Sequence, residues 1–418
     1  GNYNVVVGDE AGTAITTGDY NTSLGYNAGA AVTTAGRNTF IGASVGDAIT
    51  TGERNVAVGT DALSADTLGS RAVAIGQAAL ANQNFTTATD VYNTAVGWGA
   101  GLSVTTGDSN TLIGGLAGDA LTVGNSNVVL GYNALSSDTK GDRSVAIGMA
   151  ALIAQNFTTT TDTYNTAVGY EAGVAVTTGS QNTLIGGLAG DSLTDGGENV
   201  AVGYNTLSTE DGNGRNIAIG NSALATLNAG ATAYNVAVGY QAGTAVTTGK
   251  ENTLIGSRAG DDLTDSDRNT AIGAYALHTN TLGQYNTAVG YGSLNTANHT
   301  TATNAYNVAV GYSAGQSVTT GTSNTLIGGL AGDNLTTGGA NTIIGSNNNA
   351  SAVDVSTEIV IGRNGSGSGA ATVTLCNGDT DAVLALDGSD TSWAATSDER
   401  LKKNIVTSTA GLSFIKEL

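Results

Sequence analysis

The sequence predicts an all-β fold, a parallel β-roll or β-solenoid of about 21 coils with a 17-residue period. Three observations carry that prediction. A glycine behind an apolar triplet returns at Gly8, Gly25, Gly42, Gly59, Gly76 and Gly97 and onward to Gly362, in most steps 17 residues apart. The chain holds 62 glycines and no proline, as expected where every strand is internal and needs its N–H for a neighbouring rung. Only 5% of its 418 residues are aromatic and 11% charged, too few large side chains for a compact globule but enough for a thin stack of coils.

Each coil is read outward from its glycine. The residues one and three before it are Val, Ile, Leu or Thr, as in Val96 and Thr94, and share one face of a strand. The residue between them is also apolar, as in Ala95, Leu112 and Val129. A strand apolar on both faces is buried on both. The face one and three before the glycine is expected to fill the inside of the coil. The Ala, Leu and Val face then meets another chain, which implies lateral association. Four before the glycine stands Asn (Asn38, Asn55, Asn93, Asn110), whose amides can stack into a hydrogen-bond ladder. Ten after it stands a second glycine, often behind a Thr-Thr pair such as Thr105-Thr106. The segment between the two glycines is expected to be a second short strand, with glycines supplying positive-φ corners.

Gly25, Gly97, Gly169, Gly239 and Gly311 mark a superperiod of 72, 72, 70 and 72 residues. Every fourth coil carries an insertion, and these insertions are expected to bulge from one edge about 19 Å apart. Loops on one side of a solenoid often bind ligands. The candidate surface residues are Asn84 and Phe85, Asn156 and Phe157, and Asn298 and His299. Each pair opens an Asn-x-Thr triplet, a glycan acceptor in a host that glycosylates. A carboxylate recurs at Asp47, Asp119, Asp191, Asp261 and Asp333; a solvated corner is the expectation there, with a cation site as the alternative.

Net charge is −20, which argues against nucleic acid or an anionic membrane as partner. No run of 18 apolar residues exists to span a bilayer as a helix. Cys376 is alone, and His278 and His299 stand apart, so neither an intrachain disulfide nor a metal or other cofactor is expected. Gly1 already belongs to a coil, and an N-terminal attachment segment is expected to precede it.

The period stops after Gly362. Residues 1–362 form the β-roll repeat shaft. Residues 363–396 form a linker or neck, with two short strands expected within 371–386. Residues 397–418 change in composition: Ser397, Asp398 and Glu399 suit a helix start, and Leu412, Ile415 and Leu418 follow at helical spacing.

Ser397, Asp398, Arg400, Lys402, Asn404 and Ile405, preceded by Trp393, match a Ser-Asp-x-Arg-x-Lys and Asn-Ile pattern. This stretch resembles the start of the intramolecular chaperone auto-processing domain of phage tail fibres and tailspikes. The resemblance implies a homotrimer and self-cleavage between Thr396 and Ser397, with Ser397 as nucleophile and Lys402 as its base. A lysine can fill that role when burial lowers its pKa. The coils resemble the β-rolls of trimeric adhesin heads, which implies a left-handed roll.

The expected function is a structural fibre of the phage tail-fibre type, on a virion or otherwise extracellular. Its expected partners are two further copies, other virion components and a host-surface glycan. A bacterial trimeric surface adhesin and an ice-binding solenoid are the alternatives. Activity on an external substrate is not expected, since no His-containing constellation or repeated carboxylate pair stands out in the coils.

Overall fold

The structure, a computed structural model, describes residues 1–210, 212, 214–378, 381–386 and 394–395. Those residues form a parallel β-solenoid. One sheet of 24 strands runs its length. Two of these strands, Asp381–Ala385 and Ala394–Ala395, are antiparallel, which leaves 22 parallel rungs from Val5–Val7 to Thr372–Cys376. At the spacing of paired strands the stack is about 100 Å long. No helix occurs among the described residues.

Successive rungs pair residue for residue. Thr94 lies opposite Thr111, Ala95 opposite Leu112 and Val96 opposite Ile113. The insertions leave this register intact, because Val73 still pairs with Thr94 across the longer step. Each corner glycine is held by the preceding rung, as in Gly97 N–H to Ile75 O at 2.7 Å and Gly114 N–H to Val96 O at 2.8 Å.

The two strand faces are the reverse of the expected ones. The residue two before the glycine points inward and is fully buried, as in Ala95, Leu112, Val129 and Ala146. Its neighbours point outward and are partly exposed; Val128 and Leu130, at 41% and 43%, are among the more exposed. The inside is too narrow for a large residue in every coil, so its side chains alternate in size. Leu80 and Leu112 converge over Gly101, where an added Cβ would sit 2.9 Å and 2.6 Å from their methyls. Leu152 and Leu184 do the same over Gly173. The four-coil superperiod is thus a packing pattern, in which a small coil is filled by leucines from both sides.

The second expected strand is a run of tight turns. The residues two and four after the corner glycine have left-handed φ, as in Leu116 (55°) and Gly118 (57°) or Asn133 (54°) and Leu135 (49°). This alternation curls the chain, so its amides alternate too. Leu102 and Val104 donate within the coil, to Gly99 O and Gly101 O, while Gly101 and Ser103 donate to Ala117 O and Asp119 O of the next. Leucine in that conformation costs about 1–2 kcal/mol, and burial of Leu135 and its equivalents holds it there.

The asparagine ladder forms, mostly through backbone partners. Asn110 N–H donates to Asn93 Oδ1 at 2.8 Å, and Asn110 Nδ2 donates to Gly124 O of its own coil at 2.8 Å. Each amide therefore ties a rung to its predecessor and closes its own corner.

Past Gly362 the two expected neck strands are present, Thr372–Cys376 and Asp381–Ala385, paired antiparallel. The first of them also stacks as the last parallel rung, on Ile359–Gly362.

Candidate functional site

Ser397, Lys402 and the Thr396–Ser397 bond lie outside the described residues, as does the expected C-terminal helical segment. The sheet leads up to them: Ala394–Ala395 pairs antiparallel with Ala382 and Val383. The candidate surfaces within the described residues are the insertion corners and the outer face of the sheet.

At the first insertion a buried carboxylate organises the loop. Asp66 Oδ1 accepts the N–H of Gly69 (3.0 Å) and of Phe85 (3.1 Å), and Oδ2 accepts Gln83 Nε2 at 2.6 Å. Gln83 Oε1 in turn accepts Asn93 Nδ2 at 2.8 Å. Asp138, Phe157, Gln155 and Asn165 repeat the network at the second insertion. Small parallel bridges close both loops, Gly69–Ser70 with Thr89–Asp90 and Gly141–Asp142 with Thr161–Asp162.

The loop residues divide by direction. Asn84, Asn156 and Asn298 are exposed, and their side-chain oxygens accept the hydroxyls of Thr67, Thr139 and Thr281. Phe85, Phe157 and His299 were expected at the surface with them, but all three are buried. At the first two corners the buried aspartate holds the N–H of Phe85 or Phe157, so the ring turns into the coil and the next residues face solvent. The ring is therefore an anchor, and what the loop offers a ligand is its threonine-rich rim.

The fourth corner substitutes all three buried partners. Asn280 replaces the aspartate, Ala297 the glutamine and His299 the phenylalanine. Asn280 Oδ1 still accepts Gly283 N–H at 2.9 Å. The amide lost at Ala297 returns at Asn286, which stands where the first corner has Ala72. His299 is 4% exposed, and neither ring nitrogen has a hydrogen-bond partner. Burial pushes its pKa below the ordinary value. A neutral imidazole thus belongs to the fold. Its contribution is complete above the unfolded value of 6.5 and is lost as pH falls through the lowered folded value. His299→Phe is expected to remove an acid-induced loosening of residues 298–305, read by hydrogen exchange at pH 7 and pH 5. Equal loosening in both proteins would refute it.

The acidic row is not freely solvated as expected. Asp47, Asp119 and Asp191 are partly buried, and each has one carboxylate oxygen inaccessible and without a partner. Burial raises their pKa values. Asp261 differs, because His278 Nδ1 pairs with its Oδ1. Among the described residues no cluster of three His, Cys, Asp or Glu side chains is placed to hold a metal.

The outer face of the sheet carries an apolar row of Val, Ile and Leu one before each glycine, beside a mixed row of Thr, Val and Ile three before it. Along one edge, five residues before the corner glycine, arginine and tyrosine stand in adjacent coils at several places. Arg71 lies over the Tyr92 ring, Arg143 over Tyr164, Arg215 over Tyr234 and Arg268 over Tyr285, at 5.5–5.8 Å. At the first two insertions the same arginine pairs with the loop's last acid, Asp90 or Asp162. The sequence carries the signal for this clamp, since Arg and Tyr occupy the same position in adjacent coils, but it stands out only once the coils are stacked. Along the other edge, one residue after the glycine, sit Trp98, Tyr132, Tyr170, Tyr204 and Tyr240, each at least half exposed.

No family model matches the chain, and neither a curated protein nor a solved structure is similar to it.

Proposed function

We propose that the chain is the shaft of a structural fibre of the phage tail-fibre type, in which three copies associate side by side through the outer sheet face. Residues 397–418 then open a trimerisation domain that releases itself by cleavage at Thr396–Ser397, with Ser397 as nucleophile and Lys402 as base. The observation that supports the reading most is the partly exposed row of Val, Ile and Leu side chains that runs along the whole sheet. A strand face about 10 Å wide on a stack about 100 Å long offers on the order of 1,000 Å² per copy. A standard stable interface needs about 800 Å² per partner. Contiguous apolar surface of that size marks an interaction site.

Threonine hydroxyls support this reading over ice binding. In the recurrent Thr row they donate to the threonine carbonyl of the next coil, as in Thr105 Oγ1 to Thr122 O at 3.0 Å and Thr319 Oγ1 to Thr336 O at 3.2 Å. Those groups are committed to the stack.

Light scattering on the purified chain is expected to give three times its 41.2 kDa mass. The triple substitution Ile113→Glu, Ile147→Glu and Ile185→Glu, on outward positions, should lower that mass while leaving the β-rich circular dichroism unchanged. A monomer of 41.2 kDa for the parent would overturn lateral association. With the complete C-terminal domain attached, a parent chain left uncut at Thr396–Ser397, or a cut that persists in Ser397→Ala, would overturn the self-cleavage.

A further inference from the structure

The row along the second sheet edge has a period of its own. In five alternate coils the residue after the corner glycine is aromatic: Trp98, Tyr132, Tyr170, Tyr204 and Tyr240. The intervening coils place Gly115, Met149, Gly187 and Asn221 there, none of them a ring. The rings are 57%, 56%, 51%, 57% and 50% exposed. An added Cβ on Gly115 would lie 3.6 Å from Tyr132 Cδ2, and one on Gly187 would lie 3.7 Å from Tyr204 Cδ2. The tyrosines therefore lean back over those glycines, and the missing side chains keep the space between rings open.

Two rungs separate consecutive rings, about 9.6 Å along the axis. That distance is set by the hydrogen-bonded ladder, so it repeats without drift over the nine coils. It is commensurate with the two-sugar repeat of an extended β-1,4-linked polysaccharide, in which every second sugar presents an equivalent apolar C–H face. Rings on a rigid backbone stack on such faces at little ordering cost, because the platform is fixed before binding. The carboxamides of Asn205 and Gln241 follow directly on Tyr204 and Tyr240, and Gln241 Oε1 accepts Arg258 Nε of the next coil at 3.2 Å. Neither Lys nor Arg occupies the ring position or the one after it from Trp98 to Gln241. With the chain at −20, an anionic polysaccharide is repelled.

We infer that this row is a binding platform for a neutral, extended, β-1,4-linked polysaccharide, with one ring to each disaccharide. It rests on the proposed function only in placing the shaft where it meets a cell surface. The platform is separate from the insertion loops, and it lies at the rim of the apolar face used for association.

Co-sedimentation with insoluble β-1,4-glucan and with chitin tests it, with a soluble anionic polysaccharide as the contrast. The unsubstituted chain should bind one of the two neutral polymers and ignore the anionic one. Tyr132→Ala with Tyr170→Ala and Tyr204→Ala should weaken binding at least tenfold. A second variant, Gly115→Tyr with Tyr132→Ala, keeps the number of rings but moves one by a single rung; it should weaken binding as well. Three results would overturn the inference: no retention of the parent on either polymer, preference for the anionic polymer, or equal retention of both variants. A fall in mass of the triple-alanine variant by light scattering would assign the row to the contact between copies and overturn it too. Failure of the parent to trimerise, with glycan binding intact, would remove the fibre reading and leave the platform standing.

Discussion

Gly186→Ala is expected to break the solenoid locally and cost about 3 kcal/mol or more, the sum of backbone strain and a clash with no escape. Gly186 has φ +132°, a conformation that essentially only glycine adopts. Its new Cβ would press on the carbonyl of Gly203 in the next coil, with Gly203 Cα at 3.2 Å. Both are backbone atoms, so no side chain can move aside. Relief requires the two rungs to separate, and that breaks the bond from Gly203 N–H to Ile185 O. Coils contact only their neighbours, so the damage should stay near the site. Hydrogen exchange should rise across residues 166–203 and stay unchanged near Val128–Leu130 and Thr253–Ile255. A single global shift in exchange, or none, would mean that the corner tolerates a side chain.

The period, the parallel stacking, the glycine behind each strand and the asparagine ladder were legible in the sequence, because each rests on one residue type recurring at one position; the second glycines, such as Gly107 and Gly124, do not take the positive φ expected of them. The direction of the strand faces was not, for both are apolar and β-branching favours a strand without saying which side is inside. The deciding signal was present in the sizes. The position two before the glycine cycles through Ala, Leu, Val and Ala (Ala95, Leu112, Val129, Ala146) in step with Gly101, Gly118, Leu135 and Leu152 six residues later. Complementary sizes are what facing core positions need, whereas an outward position has no partner to match.

The insertion corners show a different limit. A sequence-level rule puts bulky loop residues at the surface, and it failed for Phe85 and Phe157 because of a bond from the neighbouring coil. Asp66 lies 19 residues before Phe85 and captures its amide. The exchange of amides between Ala72 with Gln83 and Asn286 with Ala297 is likewise visible only when the first and fourth insertion corners are compared as equivalent places in space. The Ser397 and Lys402 assignment came wholly from motif resemblance, and its residues lie outside those the structure describes.

Asp138→Ala is expected to release the second insertion loop while the first stays closed. Asp138 is fully buried. Its Oδ1 accepts Gly141 N–H (3.0 Å) and Phe157 N–H (3.1 Å), and its Oδ2 accepts Gln155 Nε2 (2.6 Å). Alanine would strand all three donors away from water, at about 1–3 kcal/mol for each group left unpaired. The chain lowers that cost by opening: Phe157 leaves the coil, and the Gly141–Asp142 bridge to Thr161–Asp162 is lost. Coils on either side retain their own ladder, so the rod should persist. Asp138→Asn is a graded control. Asn280 already holds the fourth corner this way, with Oδ1 accepting Gly283 N–H and Nδ2 donating to Gly283 O at 2.8 Å. The asparagine variant should keep the turn but lose the Gln155 contact, so its effect should fall between parent and alanine. Limited proteolysis mapped by mass spectrometry should cut the alanine variant within 156–163 and spare 84–91, where Asp66 is intact. Cutting at both loops would mean that the corners are coupled along the shaft, and cutting at neither would mean that the Arg143, Tyr164 and Asp162 clamp suffices without the buried carboxylate.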